Sequence, residues 1–98
     1  MNANTVSETF RIPAAHPALP GHFPGQPLVP GVVLLDRVVA AIERALGLRV
    51  CGFAQVKFLH ALAPECDAIL SIERNTQTRF RIASGDTLIA SGVVELGQ

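Results

Sequence analysis

The stretch PGVVLLDRVVAAIERALG, from Pro30 to Gly47, decides the fold. Proline is tolerated at a helix start, glycine is favoured just past a helix end, and neither occurs between 32 and 46, so the pattern predicts an α-helix over 32–46. At 3.6 residues per turn its charged residues fall in one sector of roughly 120°, and they are Asp36, Arg37, Glu43 and Arg44. Because every other position is apolar, we expect the helix to be buried on most sides.

The sequence on either side of this helix predicts antiparallel strands. One strand, 6–12, precedes it and ends at Pro13. Segments with strand-like patterns follow it at 49–58, 68–74, 79–83 and 88–96. A hairpin turn is predicted at Ser84-Gly85-Asp86, and Gly92 indicates a β-bulge in the last strand. One apolar helix with consecutive antiparallel strands predicts an α+β fold, with the helix wrapped by the sheet.

Size and composition limit the function. A chain of 98 residues predicts a single domain, 1–98, and with 49% hydrophobic and 16% charged residues it is apolar for a monomer. We therefore expect an oligomer that covers an apolar face. Eight basic residues balance eight acidic ones, which leaves no excess charge to bind nucleic acid.

The termini and cysteines give further expectations. Residues 1–9 have neither a basic nor an apolar region typical of a signal peptide, and no apolar run is long enough to span a membrane, so we predict a cytoplasmic protein. Cys51 and Cys66 lack metal-ligand spacing, and we predict buried, reduced thiols, with a single disulfide as the alternative. No metal cluster or phosphate-binding loop is recognisable, and we predict no cofactor.

A proline-rich segment precedes the helix. Six of the seven prolines lie between Pro13 and Pro30, and each restricts the backbone, so we expect a rigid, partly buried loop. His22 lies inside it, and a histidine held still can act as a general base. The alternative is an ordinary histidine on a surface loop.

Two positions of the predicted helix are candidates for chemistry. Asp36 is either one member of a solvated polar face or a proton donor in a dry interface between subunits, and the periodicity does not decide between them. The Gly31 N–H lies at the positive end of the helix dipole and could polarise a carbonyl, although a glycine before a helix is common. Together with His22, these residues form a set suited to removing water from a 3-hydroxyacyl thioester.

The stretch GHFPGQPLVPGV, residues 21–32, followed by Asp36, resembles the signature of the FabA/FabZ-type 3-hydroxyacyl-acyl-carrier-protein dehydratases. In that family the motif histidine is the catalytic base, and an acidic residue fourteen positions later is its partner. Here that spacing leads from His22 to Asp36. The segment QVKFL from Gln55, and Pro64 and Asp67 after it, also resemble the family.

This resemblance implies a fold, residue roles and partners. The fold would be a hotdog, in which an antiparallel sheet wraps a long helix. His22 would be the base, Asp36 the acid and the Gly31 amide the donor to the thioester oxygen, while the loop would be supported by Phe23, Pro24, Gly25 and Pro30. The substrate would be bound to an acyl carrier protein. We expect a homodimer or higher homo-oligomer, with His22 and Asp36 contributed by different subunits; the alternative is a heterodimer with another hotdog protein.

The chain also departs from the larger members of this family. From its length we expect it to lack the N-terminal helix and strand that help to roof their acyl tunnel, and Ala40 replaces a frequent glutamine. Its short length, Asp36 and the His16-Pro17 pair resemble the compact dehydratases of aryl-polyene and related pigment gene clusters. A non-catalytic acyl-binding subunit and, less favoured, a hotdog thioesterase are the alternative functions.

Five side chains outside the motif have weaker roles. We interpret His16 as a brace for the loop, with a second polar group near the site as the alternative, and His60 as structural or at the rim of the site. Lys57, Arg37 and Arg44 are candidates for contact with an acidic carrier protein, although solvated charges are the alternative for each.

Overall fold

A computed structural model of the protein describes residues 5–17, 19 and 28–97. Its elements, in chain order, are β1 (Thr5–Phe10), α1 (Gly31–Leu46), β2 (Arg49–Phe58), β3 (Ala68–Arg74), β4 (Thr78–Ser84) and β5 (Thr87–Gly97). The α+β prediction is confirmed. The helix and the last four strands begin and end within one residue of their predicted bounds.

The first strand differs from its prediction because it ends at Phe10 and does not continue to Ile12. Phe10 pairs with Ala68, where β3 begins, so the chain beyond Phe10 has no β3 residue to pair with. The Ile12 carbonyl instead accepts a hydrogen bond from the Glu65 N–H at 2.8 Å. The buried Ile12 side chain therefore belongs to the core without belonging to the sheet.

The five described strands form one antiparallel sheet in the order β1-β3-β4-β5-β2. The predicted hairpin between β4 and β5 is confirmed: Ser84 pairs with Thr87, and Gly85 takes the left-handed conformation with φ 58°. This order leaves β1 and β2 at the two edges. The ten-residue strand β2 therefore has no strand partner on its outer side among the described residues.

One face of the sheet packs against one side of α1. The helix side chains buried there are Val33, Leu34, Val38, Ala41 and Ile42. The opposite side of the helix is uncovered: Val32 is 63% exposed, and Asp36 and Ala40 are exposed on the following turns. The prediction of a helix buried on most sides is wrong for the single chain, because its own sheet covers only one side.

Gly92 is not a bulge, contrary to the prediction from sequence. It pairs in register with Phe80 on one side and Val56 on the other. A Cβ at this position would lie 2.3 Å from the Gln55 carbonyl oxygen and 2.6 Å from the Phe80 ring. Neighbouring atoms therefore approach too closely to leave room for a side chain at Gly92. Such a close approach is, besides a bulge, a common reason for a glycine inside a strand.

The two cysteines also differ from expectation. Cys51 and Cys66 are free thiols, as predicted, but both are exposed and not buried. No helix in the described part of the chain is long and apolar enough to cross a membrane.

The described ends of the proline-rich segment are anchored to the connection between β2 and β3. Near the first end, the Ala14 N–H donates to a Glu65 carboxylate oxygen at 2.8 Å. At the second end, the Val29 N–H donates to the Leu62 carbonyl at 2.9 Å, and the Val29 side chain is buried. These ends are thus partly buried, as predicted. The stretch from 20 to 27, which includes His22, Phe23, Pro24 and Gly25, lies outside the described residues.

Candidate active site

The N-terminus of α1 has the backbone geometry expected of a ligand-accepting helix start. Pro30 occupies the N-cap position in an extended conformation, with φ −61° and ψ 145°, and no side chain within the described residues caps the first turn. The Val33 N–H donates to the Pro30 carbonyl at 3.0 Å. The Gly31 N–H lies at the positive end of the helix dipole, where an acceptor oxygen is stabilised.

A side chain at Gly31 would meet the ring of Phe58, a contact that the sequence did not reveal. A Cβ at this position would lie 2.7 Å from Cζ and 2.9 Å from Cε1 of Phe58. Phe58 is the last residue of β2, and its ring packs on the start of the helix. This contact places the end of β2 against the Gly31 N–H, which is the candidate hydrogen-bond donor to a substrate carbonyl.

Replacing Gly31 with alanine is expected to reduce the free energy of unfolding by about 0.5–1.5 kcal/mol, because the new methyl group would push the half-exposed Phe58 ring out of its rotamer. Denaturant unfolding measures the loss. Gly52→Ala is the matched control, since its Cβ would meet only the end of the Glu95 side chain, at 3.3 Å. Adding Phe58→Leu to Gly31→Ala should recover part of the stability. Equal unfolding midpoints for Gly31→Ala and the wild type would show that Phe58 does not constrain the helix start.

An apolar cleft of about 540 Å³ opens beside this helix start. Its lining residues come from the loop before α1, from the helix itself and from the end of β2 onward: Leu28, Val29, Pro30, Gly31, Leu34, Phe58, Leu59, His60, Ala61 and Leu62. Among these residues only His60 has an ionisable side chain. The cleft therefore suits an acyl chain, and among the described residues its polar contacts come from the helix amides and His60.

Asp36 lies five residues after Gly31, about 7.5 Å further along the helix axis. It is exposed, on the same uncovered side of α1 as Val32 and Ala40. No described residue is hydrogen-bonded or ion-paired to it. In the single chain Asp36 is therefore a solvated side chain, and the predicted dry environment would require a second chain on this face.

Two of the three basic residues proposed for carrier contact are engaged within the chain. Arg44 forms an ion pair with Glu8, and the Arg37 guanidinium lies 5.5 Å from the centre of the Phe10 ring. Lys57 is exposed and has no hydrogen-bond or ion-pair partner among the described residues. The structure thus places Gly31 and Pro30 in one cleft and Asp36 on an adjoining face. The proximity of His22 to Asp36 stays a prediction.

A larger groove, about 710 Å³, crosses the sheet face that points away from the helix. Basic side chains line it, including Lys57, Arg79 and Arg81. It lacks a helix N-terminus and does not contain Gly31, Asp36 or His60. Size alone would favour this groove, but its charged lining does not suit an acyl chain, so we assign the candidate site to the smaller cleft.

A helix held against one face of a five-stranded antiparallel sheet, with an apolar cleft at the helix N-terminus, defines a protein of the hotdog class. The chain belongs to the ApeI-like family, described as ApeI dehydratase, whose sequence profile matches residues 1–93. The resemblance to a compact FabA/FabZ-like dehydratase is therefore confirmed.

Solved structures agree with this assignment. The dehydratase heterocomplex ApeI:P from Xenorhabdus doucetiae is similar with a TM-score of 0.85 and 25% identity, over 99% of this chain and 90% of that one. An uncharacterized protein from Erwinia carotovora subsp. atroseptica is similar with a TM-score of 0.75 and 26% identity, over 95% and 82% of the two chains. No curated protein matches the chain. The predicted hotdog fold is confirmed.

Proposed function

We propose that the protein removes water from a 3-hydroxyacyl thioester carried on an acyl carrier protein, giving the trans-2-enoyl thioester. The observation that carries this proposal is the apolar cleft at the uncapped start of α1, where Gly31 lies. It is supported by membership of a dehydratase family and by the presence of both His22 and Asp36 at the family spacing.

Each residue in this proposal has one chemical role. His22 takes the proton from C2, and the electron pair of that bond becomes the C2–C3 double bond as the C3–O bond breaks. Asp36 enters the reaction protonated and gives its proton to the departing hydroxyl, which leaves as water. The Gly31 N–H stabilises the negative charge that develops on the thioester oxygen. A proton then passes from His22 back to Asp36 before the next turnover.

We further propose that a second copy of the chain covers the face that carries Asp36. The uncovered apolar side chains Val32, Phe58 and Leu59 support this, since they are 63%, 53% and 47% exposed. The free outer edge of β2 supports it as well, because a long unpaired edge strand favours pairing with another chain. In such a dimer Asp36 would lose water and meet the His22 of the other subunit.

A non-catalytic subunit paired with a different hotdog protein is the second candidate. One observation favours it: the similar protein from Xenorhabdus doucetiae is a heterocomplex. Both candidates use the same uncovered face, so the surface does not separate them. The presence of His22 and Asp36 together favours the enzyme, because a subunit that only binds has no need of both an acid and a base.

The direct test is to incubate the purified chain with 3-hydroxyacyl thioesters on a carrier protein and to follow water loss by mass spectrometry. Short, long and aryl acyl groups should be included, because the cleft lining favours an apolar chain without fixing its length. We expect the trans-2-enoyl product with at least one of these substrates. Absence of turnover on all of them would contradict the enzyme and support the non-catalytic subunit.

A further inference from the structure

We propose that His60 is a substrate-binding residue, whose Nε2 accepts a hydrogen bond from the amide N–H of the thiol arm that carries the acyl group. This inference rests on the proposed function for the identity of the ligand. It differs from the interpretation of His60 as structural or rim, which the sequence alone suggested. Three features of the structure support it: the lining of the cleft, the tautomer of the ring and the position of the residue beside Gly31.

The first feature is the chemistry of the cleft. Its other described side chains, such as Leu28, Leu34 and Leu59, are apolar, and His60 is the one ionisable side chain among those that line it. Ligand clefts of this kind take their affinity from apolar contact and their orientation from a small number of polar groups. If a ligand in this cleft carries an N–H or O–H group, His60 is the one described side chain that can accept a hydrogen bond from that group.

The second feature is the hydrogen bond that holds the ring. His60 Nδ1 lies 3.1 Å from the Leu88 carbonyl oxygen. A carbonyl can only accept, so Nδ1 carries the hydrogen, and Nε2 of the neutral ring is left as an acceptor. The backbone is held as well, since the Leu59 and His60 N–H groups both donate to the Ile89 carbonyl, at 2.8 and 3.2 Å. The acceptor atom is thus attached to a residue anchored on β5.

The third feature is position. Phe58 packs on Gly31, and His60 follows it by two residues, so at most about 7 Å of chain separates the two. If the Gly31 N–H holds the thioester oxygen, the thiol arm leaves through the part of the cleft beside His60. On a carrier-protein or coenzyme A arm, the first donor beyond the sulfur is an amide N–H, separated from it by an ethylene linker. That N–H is the natural partner for Nε2.

The test compares two small ligands that differ in one group. The first is the 2-enoyl thioester of N-acetylcysteamine, which keeps the amide N–H, and the second is the 2-acetoxyethyl thioester, in which oxygen replaces that N–H. We expect the wild type to bind the amide about 2–10-fold more tightly than the ester, as measured by titration calorimetry. His60→Phe should bind both equally, and His60→Gln, which keeps an acceptor oxygen, should recover part of the preference.

Arg49→Gln is the control, because it removes a charge at the far end of β2, away from the cleft. It should keep the full preference for the amide. Thermal unfolding of each variant checks that the fold survives the loss of the Leu88 contact. If His60→Phe does not fold, nitrogen NMR of the wild-type His60 ring replaces it: the amide ligand should shift the Nε2 signal, and the ester should not.

Several results would overturn the inference. They are equal binding of amide and ester by the wild type, an undiminished preference in His60→Phe, an Nε2 signal that ignores the amide, and no binding of either ligand. Because binding is measured without turnover, this test is separate from that of the proposed function. A wild type that prefers the amide but never releases water would contradict the enzyme and leave the role of His60 supported.

Discussion

Replacing His22 with alanine is expected to slow water loss by ~10²–10⁴-fold, the usual contribution of a general base. The imidazole would be the group that takes the C2 proton, and alanine leaves nothing at that position able to accept it. The measurement is kcat/KM for a carrier-bound 3-hydroxyacyl thioester, followed by mass spectrometry. The effect should fall mainly on kcat, because the helix amides and the apolar cleft still bind the substrate.

His16→Ala is the matched control, since it changes another histidine of the same proline-rich segment. The His16 N–H donates to the Pro13 carbonyl and the His16 carbonyl accepts from the Leu19 N–H, and alanine can keep both bonds. We expect this variant to lose much less activity than His22→Ala, because it loses the contacts of the His16 side chain but keeps these backbone bonds of the loop. Activity near the wild-type level in His22→Ala would remove His22 from the mechanism, and equal losses in both variants would point to a general disturbance of the loop.

The fold was predictable from sequence where local chemistry determines it. Gly47 ends the helix because it takes the left-handed conformation, with φ 65°, that glycine adopts without strain. Pro30 marks the start in the same way, and the Gly85 turn fixes the β4–β5 hairpin. Each of these signals depends on the conformational range of one residue, so it can be recognised without knowledge of the rest of the chain.

The errors arose where distant residues determine the outcome. Gly92 has no bulge because its neighbours are the Gln55 carbonyl and the Phe80 ring, which only the pairing of three strands brings together. Ile12 leaves the strand because of a hydrogen bond from Glu65, more than fifty positions later. A glycine or an isoleucine in a strand-like segment is compatible with either outcome, and the sequence pattern does not distinguish them.

The site divides along the same line. The spacing from His22 to Asp36 and the Pro30-Gly31 pair are contiguous, and the sequence identified them. The contact of Phe58 with Gly31, and the place of His60 in the cleft, depend on how β2 and β5 lie against the helix start. In the sequence, the one signal for the Phe58 contact and for the place of His60 in the cleft was that both residues lie at the end of a predicted strand.

The exposed side of α1 carries apolar side chains that the chain's own sheet does not cover. The apolar composition therefore fits this fold better if a second chain covers that side. A helix that is apolar outside one charged sector was expected to be buried on most sides, yet Val32 and Ala40 face outward with Asp36 between them. A solitary monomer would leave this surface in water. A partner that covers it would also remove water from around Asp36. The same contact would then bury the apolar side chains and give Asp36 the dry environment proposed for the acid.

Replacing Asp36 with asparagine is expected to reduce kcat/KM by ~10²–10⁴-fold, because the amide keeps the size of the side chain but has no acidic proton to give to the departing hydroxyl. The stability of the single-chain fold should change little, since within one chain Asp36 is exposed and makes no ion pair with the described residues. Steady-state kinetics and denaturant unfolding of the same preparation measure the two effects. Near-normal turnover by Asp36→Asn would exclude it as the acid.

Mixing the two inactive variants then tests where the acid and base come from. If His22 and Asp36 meet across a homodimer, a mixed dimer of His22→Ala and Asp36→Asn chains contains one intact site. With random assembly, about a quarter of the wild-type activity should return, since half of the dimers are mixed and each keeps one of its two sites. Co-expression with two different affinity tags provides the mixed dimer directly. An inactive mixed dimer would contradict a shared site and place both residues within one chain.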